Sequence, residues 1–154
     1  MNLQGGDNNL SVNLYEYSFP YIRDGYQICN FGCGLLLNFE KDVIKHYKNV
    51  NITSVDVQDI KTDIDNVRII KESVENKILF DDKFDLVTFF ELMEHIDKTD
   101  ILLENCFENL KDDGYLVFSC PNLASYHARL SLLLGFQPCI IEVSNIIFKF
   151  GRAI

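Results

Sequence analysis

Positive charge is scarce in this chain. There are 14 lysines and arginines against 23 aspartates and glutamates, for a net charge of −9, and the basic residues do not cluster. That field repels phosphate backbones, so nucleic acid is not expected as a partner. Long apolar runs are missing too. The longest, Leu130 to Phe136, contains a glycine and falls far short of the ~20 residues that cross a bilayer, so no membrane association is expected. No basic, apolar leader is read at the start. C-x-x-C pairs are absent among the five cysteines, Cys29, Cys33, Cys106, Cys120 and Cys139. Their number is odd and three sit in apolar, strand-like runs, which points to reduced, buried thiols in a cytoplasmic protein.

Motifs for several chemistries are lacking as well. There is no Gly-Lys-Ser/Thr for a P-loop and no Gly-x-Ser-x-Gly elbow for a serine nucleophile. The third glycine of a dinucleotide fingerprint would fall at Leu37, which argues against a nicotinamide-dependent oxidoreductase. Glu91, Glu94 and His95 share helical spacing, but His46 and His127 lie in other elements. No metal is therefore expected.

What is present suits one domain over 1–154, with a loose polar arm over 1–12 and an atypical tail over 139–154. Strands are expected at Tyr26–Phe31, Val50–Val57, Val67–Ile70, Phe84–Phe90 and Tyr115–Cys120, the last stopped by Pro121. "FDLVTFF", Phe84 to Phe90, is an almost unbroken apolar run, as in a strand buried on both faces. Phe39, Val43, Ile44 and Tyr47 mark one helix; Ile101 to Leu110 marks another, capped by Asp97 or Thr99. A third is expected over Leu123–Leu134, between Asn122 as cap and Gly135 as stop. "KDDG", Lys111 to Gly114, reads as a turn. Cys139 to Phe150 reads either as two short strands around Ser144-Asn145 or as an extended flap. The alternation predicts an α/β fold with a mostly parallel sheet.

Ligands of such sheets bind beyond the carboxyl ends of the strands, and four strand ends carry unusual residues. Gly32-Cys33-Gly34 follows the first, where glycine lets backbone approach a ligand. Asp56 closes the second, 22 residues after Gly34, where a carboxylate can accept hydrogen bonds from a ribose diol; a solvated or capping aspartate is the plainer alternative. Glu91-Leu92-Met93-Glu94-His95 follows the fourth. Ser119-Cys120-Pro121-Asn122 follows the fifth.

In this order and spacing, the pieces from Tyr26 to Gly135 resemble the class I S-adenosylmethionine-dependent methyltransferases. "FDLVTFFELMEHI", Phe84 to Ile96, is the most specific match, and "LKDDGYLVFSCPN", Leu110 to Asn122, is similar to a second common segment. The resemblance implies a Rossmann-like methyltransferase fold with helices on both faces of a central sheet whose last strand is antiparallel. It implies S-adenosylmethionine as cofactor, S-adenosylhomocysteine as product and an unidentified, small-molecule methyl acceptor. By position, Gly32, Cys33 and Gly34 would pass the methionine and ribose parts of the cofactor. Asp56 would take the ribose hydroxyls and Val57 would lie on the adenine. Ser73 and Val74 would border the adenine edge. Phe90 and Glu91 would line the methyl-transfer face. Glu91 and His95 are the catalytic candidates, with Glu94 and His127 as further bases.

The chain departs from that family in three respects. Asn30 stands where an acid usually contacts the cofactor's ammonium; losing one charge-assisted hydrogen bond costs about 1–3 kcal/mol, so weaker binding is expected. Leu35 to Leu37 replace small residues, which predicts a bulkier pocket floor. About nineteen residues follow Gly135, where the family continues with a helix and two strands, so abbreviated C-terminal strands or an oligomer completing the sheet edge are expected. Asn30 and the short tail leave a second reading open, a non-catalytic subunit of the same fold that binds a partner protein.

Overall fold

The computed structural model describes residues 14–122, 124–136 and 142–149. The arm over 1–12, Cys139 and the side chain of His127 lie outside the described residues. Six strands form one sheet: β1 (Gln27–Phe31), β2 (Asn51–Asp56), β3 (Val67–Lys71), β4 (Phe84–Phe90), β5 (Leu110–Asn122) and β6 (Glu142–Lys149). Their order is β3-β2-β1-β4-β5-β6. The first five run parallel, and β6 runs antiparallel to β5. The order reverses between β1 and β4, which opens a crevice beyond their carboxyl ends.

Period-two alternation explains the layers. Ile28, Ile52, Leu86 and Val117 share one core with Phe39 and Val43 of α1 (Asn38–His46). Their strand neighbours Cys29, Val87, Leu116 and Phe118 share the other core with Leu102 and Cys106 of α2 (Thr99–Asn109). Adjacent strand residues point to opposite faces, so α1 and α2 cover the two faces of the sheet. A 3-10 segment, Leu14–Tyr21, sits on the α1 side, where Tyr15 meets Phe90 edge-on at 5.0 Å. The largest side chains with no exposure include Phe31, Phe89 and Leu86; each contributes about 1.5–3 kcal/mol by leaving water.

Several boundaries differ from the sequence reading. β5 begins at Leu110 and runs through Lys111–Gly114. Phe84 pairs with Leu110 and Leu86 with Tyr115, so the extra residues bulge from an unbroken strand. Pro121 does not stop β5. Pairing to β4 ends at Ser119, and beyond it, among the described residues, the strand has only β6 as neighbour, so the missing N–H is tolerated. Helix α2 is preceded by Lys98, with no side-chain cap. Helix α3 (Tyr126–Leu133) starts later than expected because Ser125 caps it, its hydroxyl accepting from Ala128 N–H at 3.2 Å. Residues Ser144 and Asn145 lie inside β6 opposite Cys120 and Ser119, so the described residues of the tail, Glu142–Lys149, form one strand with no turn between them. Among the described residues no helix is long and apolar enough to cross a membrane.

The segment between β3 and β4 has no helix. Two buried asparagines of α2 hold it instead. Asn105 accepts from Ile78 N–H at 2.8 Å and donates to the carbonyls of Val74 and Asn76. Asn109 accepts from Phe80 N–H at 2.8 Å and donates to Ile78 O. Their carboxamides satisfy backbone groups that would otherwise be orphaned in the interior, and they fix Val74 against the crevice.

Candidate functional site

The chain leaves β1 through a left-handed turn. Gly32 has φ +71°, and a Cβ there would stand 2.8 Å from Leu92 Cδ1. Only glycine fits without displacing that leucine. Its N–H donates to Val55 O at 2.7 Å. Gly34 has φ +66° and would meet nothing within 4 Å if it bore a Cβ, so its backbone faces open space. Its N–H donates to Asp56 Oδ2 at 2.9 Å. The other oxygen of Asp56 accepts from Gln58 N–H at 3.0 Å. Asp56 is only 7% exposed. It is thus neither a solvated aspartate nor a helix cap; it ties the glycine loop to the end of β2.

A cleft of about 300 Å³ opens here. Gly32, Gly34 and Asp56 line one part. Val57, Ser73 and Val74, from beyond β2 and β3, line another, and His95 comes from the segment after β4. Asn30, Cys33, Phe90 and Glu91 are not among its lining residues. Phe90 packs at 5.4 Å from Phe39 on the α1 face. Leu35 and Leu36 are 64% and 67% exposed, and Leu37 is buried. None of the three lines the cleft, so the floor is not bulkier for them.

Glu91 lies beside the cleft in a left-handed conformation, φ +47°, strained for a residue with a side chain. Neighbouring β5 holds it there. Ser119 Oγ donates to Glu91 Oε1 at 3.0 Å, and Glu91 N–H donates to Ser119 O at 3.3 Å. Burial raises the Glu91 carboxyl above its usual range, the Ser119 hydrogen bond opposing. Glu94 lies 3.9 Å from His95 Nε2, and the His95 side chain is largely exposed. Among the described residues no three metal-ligating side chains converge. Cys29, Cys33, Cys106 and Cys120 are free, and of these four only Cys29 and Cys106 are buried.

Beneath the loop lies a buried polar network. Thr88 Oγ1 donates to Asn30 Oδ1 at 3.0 Å, which turns the Asn30 amide so that Nδ2 donates to Glu40 Oε1 at 2.7 Å. Ser54 Oγ donates to the same oxygen at 2.6 Å. Glu40 is completely buried, and its Oε2 has no partner. Burial raises its pKa; the Asn30 and Ser54 hydrogen bonds oppose the rise. Burial also pushes the Cys33 thiol up to about 12, with the charges of Glu40 and Asp56 adding to the effect.

A family model described as a methyltransferase domain matches residues 10–139. The chain belongs to the methyltransferase domain family. No curated protein sequence matches it. Solved structures share the fold. A TehB-like S-adenosylmethionine-dependent methyltransferase from Corynebacterium glutamicum superposes with TM-score 0.68 at 14% identity, over 90% of this chain and 87% of that one. Coclaurine N-methyltransferase bound to N-methylheliamine and S-adenosylhomocysteine gives 0.61 at 23%, over 70% of this chain and 34% of that one. The cyclase SpnF gives 0.62 at 17%, over 70% and 43%. The chain thus spans between a third and a half of the length of these last two.

Within this methyltransferase domain, sequence reasoning missed Gln58, Glu75, Leu92 and Ile96, which also line the cleft. Glu75 accepts from the N–H groups of Asp97 and Lys98, at 2.7 and 3.0 Å, and so ties the β3 side of the cleft to the segment after β4. Glu40 was missed although a signal exists. Positions 40, 43, 44 and 47 stand at i, i+3, i+4 and i+7, so an acid occupies the apolar stripe of α1.

Proposed function

We propose that this domain binds S-adenosylmethionine in the cleft and transfers its methyl group to a small-molecule acceptor. One observation carries the reading: Asp56, at the end of β2, clamps Gly34 of the loop after β1, so that a carboxylate and bare backbone share one wall. The residues present fit such a cofactor. Each Asp56 oxygen accepts one backbone N–H and keeps a lone pair for a ribose hydroxyl. Val57, Val74 and Ile96 offer apolar surface to a flat heterocycle. A cleft of about 300 Å³ is at the lower end of small-ligand sites.

The cofactor would supply a sulfonium-bound, electrophilic methyl group. The protein's work is binding, orientation and exclusion of water. Asp56 and the glycine loop bind; Leu92 and Ile96 shield the wall nearest the end of β4. Glu91, held by Ser119 and raised by burial, takes the acceptor's proton where the acceptor needs a base. His95, exposed at the cleft, is the second candidate. Neither role is required for an acceptor that is already deprotonated.

Titration calorimetry with S-adenosylmethionine, S-adenosylhomocysteine and NAD tests the reading. Micromolar binding of the first two, without NAD, supports it; binding of none, or of NAD alone, refutes it. The same fold in a cyclase makes methyl transfer a separate question, answered by transfer of labelled methyl to a panel of amine, hydroxyl and thiol acceptors.

A further inference from the structure

Helix α3 is closed at both ends but buried on almost no side. Ser125 caps its start. Gly135, at φ +78°, stops it: its N–H donates to Leu132 O and that of Phe136 to Ser131 O, which turns Phe136 back along the last turn. Of the described side chains in the helix only Ala128 is buried. Tyr126, Leu130, Leu132, Leu133, Leu134 and Phe136 are exposed, from 42% at Leu130 to 83% at Leu133. Leu130, Leu133 and Leu134 stand at i, i+3 and i+4, on one stripe of the helix. A helix of eight residues is marginal in water on its own; below about 12–15 residues, stability comes from packing an apolar face. Here that face is turned outward.

Area and charge together point to what covers it. At about 200 Å² per large apolar side chain, the six exposures amount to roughly 750 Å² of apolar surface. That exceeds the largest patch of a typical monomer, about 300–600 Å², and approaches the roughly 800 Å² that each partner contributes to a stable complex. Two copies of a chain with net charge −9 repel each other over most of their surface. Yet the sequence has no aspartate or glutamate between Asp113 and Glu142, and Arg129 is the only lysine or arginine there. Copies therefore meet with least repulsion across α3. A membrane surface fits less well, because interfacial helices carry several lysines or arginines beside the apolar face. We propose that the apolar face of α3 is the interface of a homodimer, the stripe of one copy packing on the same stripe of the other about a twofold axis. This contact is distinct from completion of the sheet edge, where β6 already covers β5, and it is independent of the cofactor reading.

Sedimentation velocity of the full chain at about 1 to 100 μM, the range in which an interface of this size should assemble, tests the proposal. Wild type is expected to pass from monomer to a species of twice the 17.8 kDa chain mass, and its melting temperature should rise with concentration. Leu133→Glu places a charge in the middle of the stripe. The side chain is mostly exposed, so the fold should tolerate the change, while dimerisation should weaken by about thirtyfold or more. Leu134→Glu, on the same stripe, should act alike, and if one variant melts early the other decides. Leu79→Glu alters another exposed leucine, between β3 and β4, and should leave the dimer intact. A wild type that stays monomeric throughout, a dimer that survives both α3 variants, or a dimer that Leu79→Glu dissociates equally would each overturn the proposal. Monomeric wild type that co-sediments with phosphatidylglycerol vesicles would overturn it as well and assign the face to a lipid surface.

Discussion

Replacing Asp56 asks more of the structure than a loss of affinity. Both carboxylate oxygens hold backbone donors, Gly34 N–H at 2.9 Å and Gln58 N–H at 3.0 Å, in a side chain that is 7% exposed. Hydrogen bonds to a charged group contribute about 1.5–3 kcal/mol each, so Asp56→Ala is expected to cost about 3–6 kcal/mol of stability and loop order. Against a typical total of about 5–15 kcal/mol, that variant is marginal. Asp56→Asn, which keeps one acceptor oxygen, is the milder partner. Either variant loosens the loop, and a loose loop weakens every ligand. A ribose contact is isolated only by a cycle. Wild type is titrated with S-adenosylhomocysteine and its 2′,3′-dideoxy analogue, and the diol should be worth about tenfold or more. In Asp56→Asn that advantage should shrink, and in Asp56→Ala it should vanish. If the dideoxy analogue is penalised as much in the variants as in wild type, Asp56 only organises the loop, and the ribose assignment fails.

Gly32→Ala combines φ +71° with a Cβ 2.8 Å from Leu92; it should lower stability by about 1–3 kcal/mol and weaken ligand binding, and a melt indistinguishable from wild type would contradict the turn geometry. Asn105→Ala leaves Ile78 N–H and two carbonyls without their partner, so denaturant unfolding should show a loss of about 2–4 kcal/mol, with hydrogen exchange of Ile78 accelerated. Glu40 binds its proton more tightly folded than unfolded, because burial raises its pKa. The stability it contributes therefore falls as pH rises from the ordinary carboxylate range through that raised value. Glu40→Gln should escape the fall, melting above wild type at alkaline pH with the gap closing near about pH 4; a gap that does not vary with pH would rule this out. Ser119→Ala removes the hydrogen bond that opposes the raised Glu91 pKa, so any transfer activity that depends on ionised Glu91 should shift its acidic limb to higher pH, and an unmoved limb would remove Glu91 as the base.

What could be read from the chain follows from what each residue answers to. The buried strands were legible because both faces must be apolar, as in "FDLVTFF". Asp56 was legible as the carboxylate that closes β2, but not the backbone groups it holds, Gly34 N–H and Gln58 N–H. The extent of β5 was not: Lys111–Gly114 looks like a turn, and only its register against Phe84 and Leu86 makes it a bulge. The cap of α3 was misplaced by three residues because Asn122 and Ser125 are equally good cap residues and Asn122 is already paired in β5 with Glu142. Much of the cleft wall comes from residues 92–96, a short 3-10 turn over Met93–His95 whose flanks are fixed from afar, Glu91 by Ser119 and Asp97 and Lys98 by Glu75.

Asn30 carries the wider lesson. Judged at its own position, it is a lost acid and counts against a working site. In three dimensions its amide is held between Thr88 and Glu40, so a carboxyl group lies on the adjoining side chain, where a one-dimensional reading sees only one polar residue in an amphipathic helix. What position 30 contributes depends on the buried network it belongs to, not on its identity alone. That network still holds a carboxylate, at a cost in stability that core packing alone gives no reason to retain. A non-catalytic scaffold drew its support from Asn30 and from the short tail, and Asn30, hydrogen-bonded through both its polar atoms inside this network, does not by itself decide between the two readings.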